Sequence, residues 1–116
     1  MIEITYEEEQ ILDNIQFDLS KGEYEISFNA NATSEIGDIG IALFNNDIQI
    51  NGTEIDCTIR EKGEWHNISF NKKIIVYSKE TLEIKSVHTT SFNGIVSETE
   101  IPILKNINIL VKKKGD

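Results

Sequence analysis

The chain has 116 residues but only one cysteine, one proline, one tryptophan and two histidines. Each scarcity excludes something. A lone Cys57 permits no disulfide within the chain. Its alternation with Ile55 and Ile59 predicts a small buried hydrophobe rather than a reactive thiol. A single proline and seven glycines exclude collagenous and low-complexity classes. Ala and Leu, the strong helix formers, are sparse, whereas Ile, Asn, Thr and Ser abound, a balance that favours sheet. Apolar runs stop at four residues, as in Ile74 to Tyr77. A membrane-spanning helix needs about 20, so no membrane insertion is expected. Met1 to Glu9 has neither a basic region nor an apolar stretch, so no secretory signal is expected. Three Asn-x-Ser/Thr triplets, at Asn31, Asn51 and Asn67, are read as chance in an Asn-rich chain.

What is abundant is acid, and it is unevenly placed. The formal net charge is −9, with ten acids and one base (Lys21) among residues 1–38 and ten of each thereafter. Nucleic acid is not an expected partner, because sequence-independent binding needs a positive footprint. The acidic start and the basic Lys112-Lys113-Lys114 run are either ordinary solvated ends, or the acidic segment meets a basic surface on a neighbour.

The hydrophobic pattern has a period of two. Tyr24, Ile26 and Phe28 share one face of Gly22 to Asn31, and Glu23, Glu25 and Ser27 share the other. Further strands are read over Met1–Tyr6, Asn14–Leu19, Asp38–Asn45, Ile48–Ile50, Thr53–Arg60, Trp65–Tyr77 with a bend or bulge at Asn71 to Lys73, Thr81–Val87 and Lys105–Lys112. His88 to Asn93 reads as a loop, and Ile95 to Ile103 has no clear pattern except that Pro102 belongs at an edge or strand end. Asn51-Gly52 is a tight-turn signal. Eight to ten short strands at this spacing predict an all-β, single-domain jelly-roll β-sandwich of two antiparallel sheets. Residues 1–13 are assigned to an N-terminal strand or docking arm, 14–113 to the jelly-roll domain and 114–116 to the basic tail end.

Tests for chemistry find no constellation. His66 shares a face with Ile68 and Phe70, and His88 has no nucleophile–base pattern around it. There is no Cys pair, His-x-His or acidic metal loop, and Glu7, Glu8 and Glu9 read as a solvated turn. The glycines are isolated, so no phosphate cradle exists. No catalytic, metal or cofactor residue is assigned, and the protein is not expected to be an enzyme.

Surface apolar residues carry the remaining signal. Trp65 faces opposite to Ile68 and Phe70. It is a sugar-stacking platform, an interface anchor or a half-buried residue beside a loop. Ile74/Val76 and Ile75/Tyr77 fill both faces of one strand, as Ile41/Leu43 and Ala42/Phe44 do of another, and Leu110 breaks a polar face. Either subunits pack there or long loops cover them.

The motif Lys21-Gly22-Glu23-Tyr24-Glu25-Ile26-Ser27-Phe28-Asn29, followed by Gly40-Ile41-Ala42-Leu43-Phe44-Asn45-Asn46 and the arm Ile48 to Glu54, resembles the jelly roll of tumour necrosis factor and the complement globular head. It is similar more specifically to small jelly-roll domains of bacteriophage virion proteins and bacterial surface filaments. Asn67 to Tyr77, Glu80 to Ile84 and Asn106 to Lys112 continue the order, while Ser78-Lys79-Glu80 stands where the family has a Gly-Asp turn. The resemblance spans about residues 14–113 and implies a homotrimer whose inner sheet holds Trp65–Tyr77 and the last strand. It further implies a structural virion protein, made in the host cytoplasm, decorating a capsid or forming a head or tail fibre on a capsid or tail scaffold. Trp65, Ile75, Tyr77 and Leu110 are the expected oligomer interface, and Ile2, Ile4 and Tyr6 the expected docking arm. The alternative is a lectin-like or receptor-binding module using Trp65 and loop residues.

Overall fold

Alternating apolar side chains force pairing between distant segments, because each strand has one dry face to cover. In the computed structural model, which describes residues 2–11, 15–91 and 102–115, that pairing gives ten strands and no helix. They are β1 (Ile2–Tyr6), β2 (Gln10–Ile11), β3 (Ile15–Leu19), β4 (Gly22–Thr33), β5 (Gly37–Asn45), β6 (Ile48–Gln49), β7 (Ile55–Ile59), β8 (His66–Val76), β9 (Glu80–Ser91) and β10 (Ile103–Lys113). Two antiparallel five-stranded sheets result. The first runs β1-β10-β4-β8, with β2 continuing the β1 edge on β10. The second runs β3-β9-β5, with β6 and β7 sharing the far side of β5.

The pairs are nested. The first edge strand meets the last strand, β3 meets β9, β4 meets β8, and β5 meets the β6/β7 pair. A long hairpin rolled up so that successive pairs alternate between facing sheets is a jelly roll, as expected from the sequence.

Between the sheets lie Ile26, Phe28, Ile39, Ile41, Leu43, Leu82, Ile84, Leu104, Ile107 and Ile109, all essentially without solvent contact. Burying each large apolar side chain contributes about 1.5–3 kcal/mol. Phe28 and Phe70, partners across β4 and β8, stack with centroids 5.3 Å apart.

Two irregularities keep the dry faces aligned. Leu104 and Ile107 are three apart, yet both are buried. A bulge between Lys105 and Asn108 makes this possible, with Asn106 in the left-handed region at φ 51° and its side-chain amide donating to Asn31 Oδ1 at 3.0 Å. On β9 the register against β5 shifts between Gly40 and Ile41. No bulge occurs at Asn71 to Lys73: β8 pairs with β4 without a break from His66 to Val76. Lys72 therefore sits on the inward side, which it tolerates because β8 is an edge and its ammonium reaches over Gly52.

The strand β9 also runs on through Ser91, where a loop was expected from His88. The unpatterned stretch before Pro102 lies outside the described residues, and Pro102 immediately precedes β10. Between β6 and β7 the ladder on β5 is completed by other groups. The Ile50 N–H donates to Leu43 O at 2.9 Å, and the buried Thr53 hydroxyl accepts from the Leu43 N–H at 3.0 Å and donates to Ile50 O at 2.7 Å. The Thr53 side chain thus stands in for a missing strand residue.

Candidate interaction surface

Register determines what the outside of the first sheet presents, since paired residues share a face. One rung reads Glu3, Leu110, Ser27, Asn71, and the next reads Thr5, Asn108, Asn29, Ser69. Beyond them lie Lys112, Glu25, Lys73 on one side and Lys105, Asn31, Asn67 on the other. The centre of this face is a carpet of small uncharged polar groups around one leucine. A shallow basin of about 610 Å³ lies over it, lined by Glu3, Ser27, Asn29, Ser69, Asn108 and Leu110. Asn71 donates to Ser27 Oγ at 2.7 Å and to Glu25 at 3.2 Å, so part of the carpet is internally bonded. A second hollow of about 620 Å³ follows at the charged end, beside Glu23, Lys73, Ile75 and Lys112.

The expected interface residues fall on or near this sheet in different settings. Leu110 is 37% exposed in its middle, Ile75 is 56% exposed on the β8 edge, and Tyr77, just past β8, is 76% exposed. Trp65 precedes β8 and is only half-buried, with the Lys105 ammonium 4.0 Å from its ring centroid. Ile2–Tyr6, within the segment read as an N-terminal strand or docking arm, forms a strand of this sheet. Ile2, Ile4 and Tyr6 pair with Val111, Ile109 and Ile107, so they point to the core side, and Ile4 packs against the core. They are legible as apolar from sequence, but their pairing with β10 is not, because it joins the two ends of the chain.

The other two-faced strand needs no neighbour. On the outer side of β5, Ala42 is fully buried. Phe44 lies under the Lys85 ammonium, 5.3 Å from its centroid. Lys85 is held there by ion pairs with Asp47 and, at 3.6 Å, Glu83. Here the protein covers its own apolar surface.

Glu64 organises the turn into β8. Its carboxylate accepts from the Arg60 N–H at 3.1 Å and from His66 at 2.5 Å, and its carbonyl accepts from Thr33 Oγ1 at 2.5 Å. His66 is thus engaged in a structural contact. The Cys57 thiol is half-buried against the core, and burial first, then the charges of Asp56, Glu64 and Asp38, push its pKa up. Among the described residues no three His, Cys, Asp or Glu side chains are arranged to hold a metal ion. No helix there is long and apolar enough to cross a membrane. The side chain of His88 lies outside the described residues.

No known protein family matches the chain, and none of the curated proteins matches its sequence.

Proposed function

We propose that this protein is a non-enzymatic, self-associating structural module, which assembles through the sheet β1-β10-β4-β8, and that it serves as a trimeric component of a phage-like particle. The carrying observation is that, among the described residues, five of the seven exposed large apolar side chains gather on this one sheet, Ile36 and Ile48 being the two that lie elsewhere. Leu110, Ile75 and Tyr77 lie on this sheet or at its end, and Ile2 and Tyr6 on its β1 edge, all more than a third exposed. The apolar outer side of β5 is roofed from within. Leu110, on an interior strand, is set among small polar side chains that allow close approach of another sheet.

The virion assignment draws on the resemblance carried by Gly22 to Asn29 and Gly40 to Asn46. It is supported by a strand order that gives one sheet the terminal strand together with Trp65–Tyr77. The lectin-like alternative needs an open aromatic platform, and Lys105 occupies one face of Trp65.

Sedimentation velocity across a dilution series tests the core of this reading. The wild type should sediment as an oligomer at micromolar concentration, and Leu110→Lys as a folded monomer. A wild type that stays monomeric throughout would overturn it. Mass spectrometry of purified particles from the source cells tests the virion assignment.

A further inference from the structure

The two edges of the sheet β1-β10-β4-β8 carry opposite charge. Residues 2–11, which form the β1/β2 edge, contain Glu3, Glu7, Glu8 and Glu9 and no base. Residues 65–79, which form the β8 edge, contain Lys72, Lys73 and Lys79 and no acid. None of these side chains makes an ion pair among the described residues. Each edge also exposes apolar groups, Ile2 and Tyr6 on one and Ile75 and Tyr77 on the other. Both strands pair on one side only, β1 with β10 and β8 with β4, so each leaves main-chain groups open.

Height along the strands agrees for Glu3 and Lys73, whereas Glu7 to Glu9 and Lys79 lie past opposite ends of the two edges. Glu3 lies on the rung that ends at Asn71, and Lys73 is the next outward residue of β8. Rotation about an axis roughly parallel to the strands preserves height. It therefore brings the Glu3 edge of one copy to the Asn71–Lys73 level of the next.

We infer that a second copy of this chain docks head-to-tail, its acidic β1 edge against the basic β8 edge of its neighbour. The inference rests on the self-association proposed above and specifies its contact. A head-to-tail contact uses two different patches, so it closes into a ring when the rotation divides the circle, as a trimer requires. Like edges repel, which disfavours the two-fold pairing of β1 with β1 or β8 with β8.

The test swaps the level pair of charges in the full chain. Glu3→Lys sets a lysine against Lys73 of the next copy, and Lys73→Glu sets a glutamate against Glu3 of the next copy. Both positions are exposed, and circular dichroism melts check that the variants fold. Each single variant should self-associate at least about tenfold more weakly than wild type. The double variant should recover to within about threefold, and an equimolar mixture of the two single variants should co-sediment. Single variants that associate like wild type, or a double variant that stays dissociated, would overturn the edge contact while self-association stands. A wild type that never associates would overturn the self-association itself and this contact with it.

Discussion

The Nζ atom of Lys105 stands 4.0 Å from the centroid of the Trp65 ring, Lys105 coming from β10 and Trp65 from the residue before β8, two strands with β4 between them. A cation placed over an indole contributes about 0.5–1 kcal/mol at an accessible site. Lys105→Met should lower stability by roughly that amount. It should also open the ring to quenching by acrylamide, read in the emission of the only tryptophan. For the same reason, a glycan array with wild type and Trp65→Ala should show no sugar whose binding depends on the ring. A glycan bound by wild type and lost in Trp65→Ala would reinstate the lectin-like alternative.

Among the described residues Thr53 is the one buried polar side chain, and its loss breaks the sheet ladder. Thr53→Val keeps the volume but leaves the Leu43 N–H and the Ile50 carbonyl without the hydroxyl. An unsatisfied buried group costs about 1–3 kcal/mol. Urea unfolding should show a loss in that range, whereas Thr53→Ser, which retains the hydroxyl, should lose less. Equal losses in the two variants would mean that the methyl group, not the hydroxyl, matters.

The contrast between Thr53 and Tyr24 shows what was legible in the sequence. Tyr24, Ile26 and Phe28 declare their strand by alternation, which is local information. The substitution of a side chain for a strand at Leu43 depends on where β6 ends against β5, and no periodicity records that. The same holds for the surface. Trp65, Ile75, Tyr77 and Leu110 stand out as apolar residues on polar faces, but Lys105 is 40 residues away from Trp65 in the chain. The opposite edge positions of Glu3 and Lys73 follow only from strand order. A break at Asn71 to Lys73 was expected because two lysines interrupt an apolar strand. An open edge accommodates the inward one without any bulge.

Asn106 sets the phase of the last strand. At φ 51° it occupies a backbone region that β-branched residues avoid, and it lets Leu104 and Ile107 face the same way. Asn106→Gly should be close to neutral, losing only the bond to Asn31. Asn106→Val should cost about 1–2 kcal/mol, the left-handed strain of a non-glycine residue. If the two variants melt together, the bulge does not depend on this conformation.

Cys57 should be a slow thiol. Its pKa is pushed up by burial and by the neighbouring carboxylates, which lowers the thiolate fraction at neutral pH. Alkylation of the native protein at pH 7.5 should be slower than that of the urea-unfolded chain. Neutralising the nearest charge with Asp56→Asn should speed it modestly. A native rate equal to the unfolded rate would show that the thiol is open.

The Glu64 contacts predict a pH dependence with a definite sign. The hydrogen bond from His66, then that from the Arg60 N–H, holds the Glu64 carboxyl below its ordinary value. A carboxylate whose folded pKa is depressed binds its proton more readily in the unfolded chain, so unfolded molecules take up protons first as the pH falls. The contribution is therefore fully present above the ordinary carboxylate range, near about pH 4 to 5, and disappears as the pH drops through the folded value. Glu64→Gln should lower the urea midpoint at pH 7. The gap from wild type should narrow as the pH is brought down to about 3, where the wild-type carboxyl approaches the neutral state the glutamine imitates. In parallel, His66→Ala should move the Glu64 midpoint, followed by carboxyl carbon resonances, upward toward the ordinary range. A Glu64 midpoint indifferent to His66, or a stability gap unchanged between pH 7 and 3, would show that the imidazole does not hold this carboxylate.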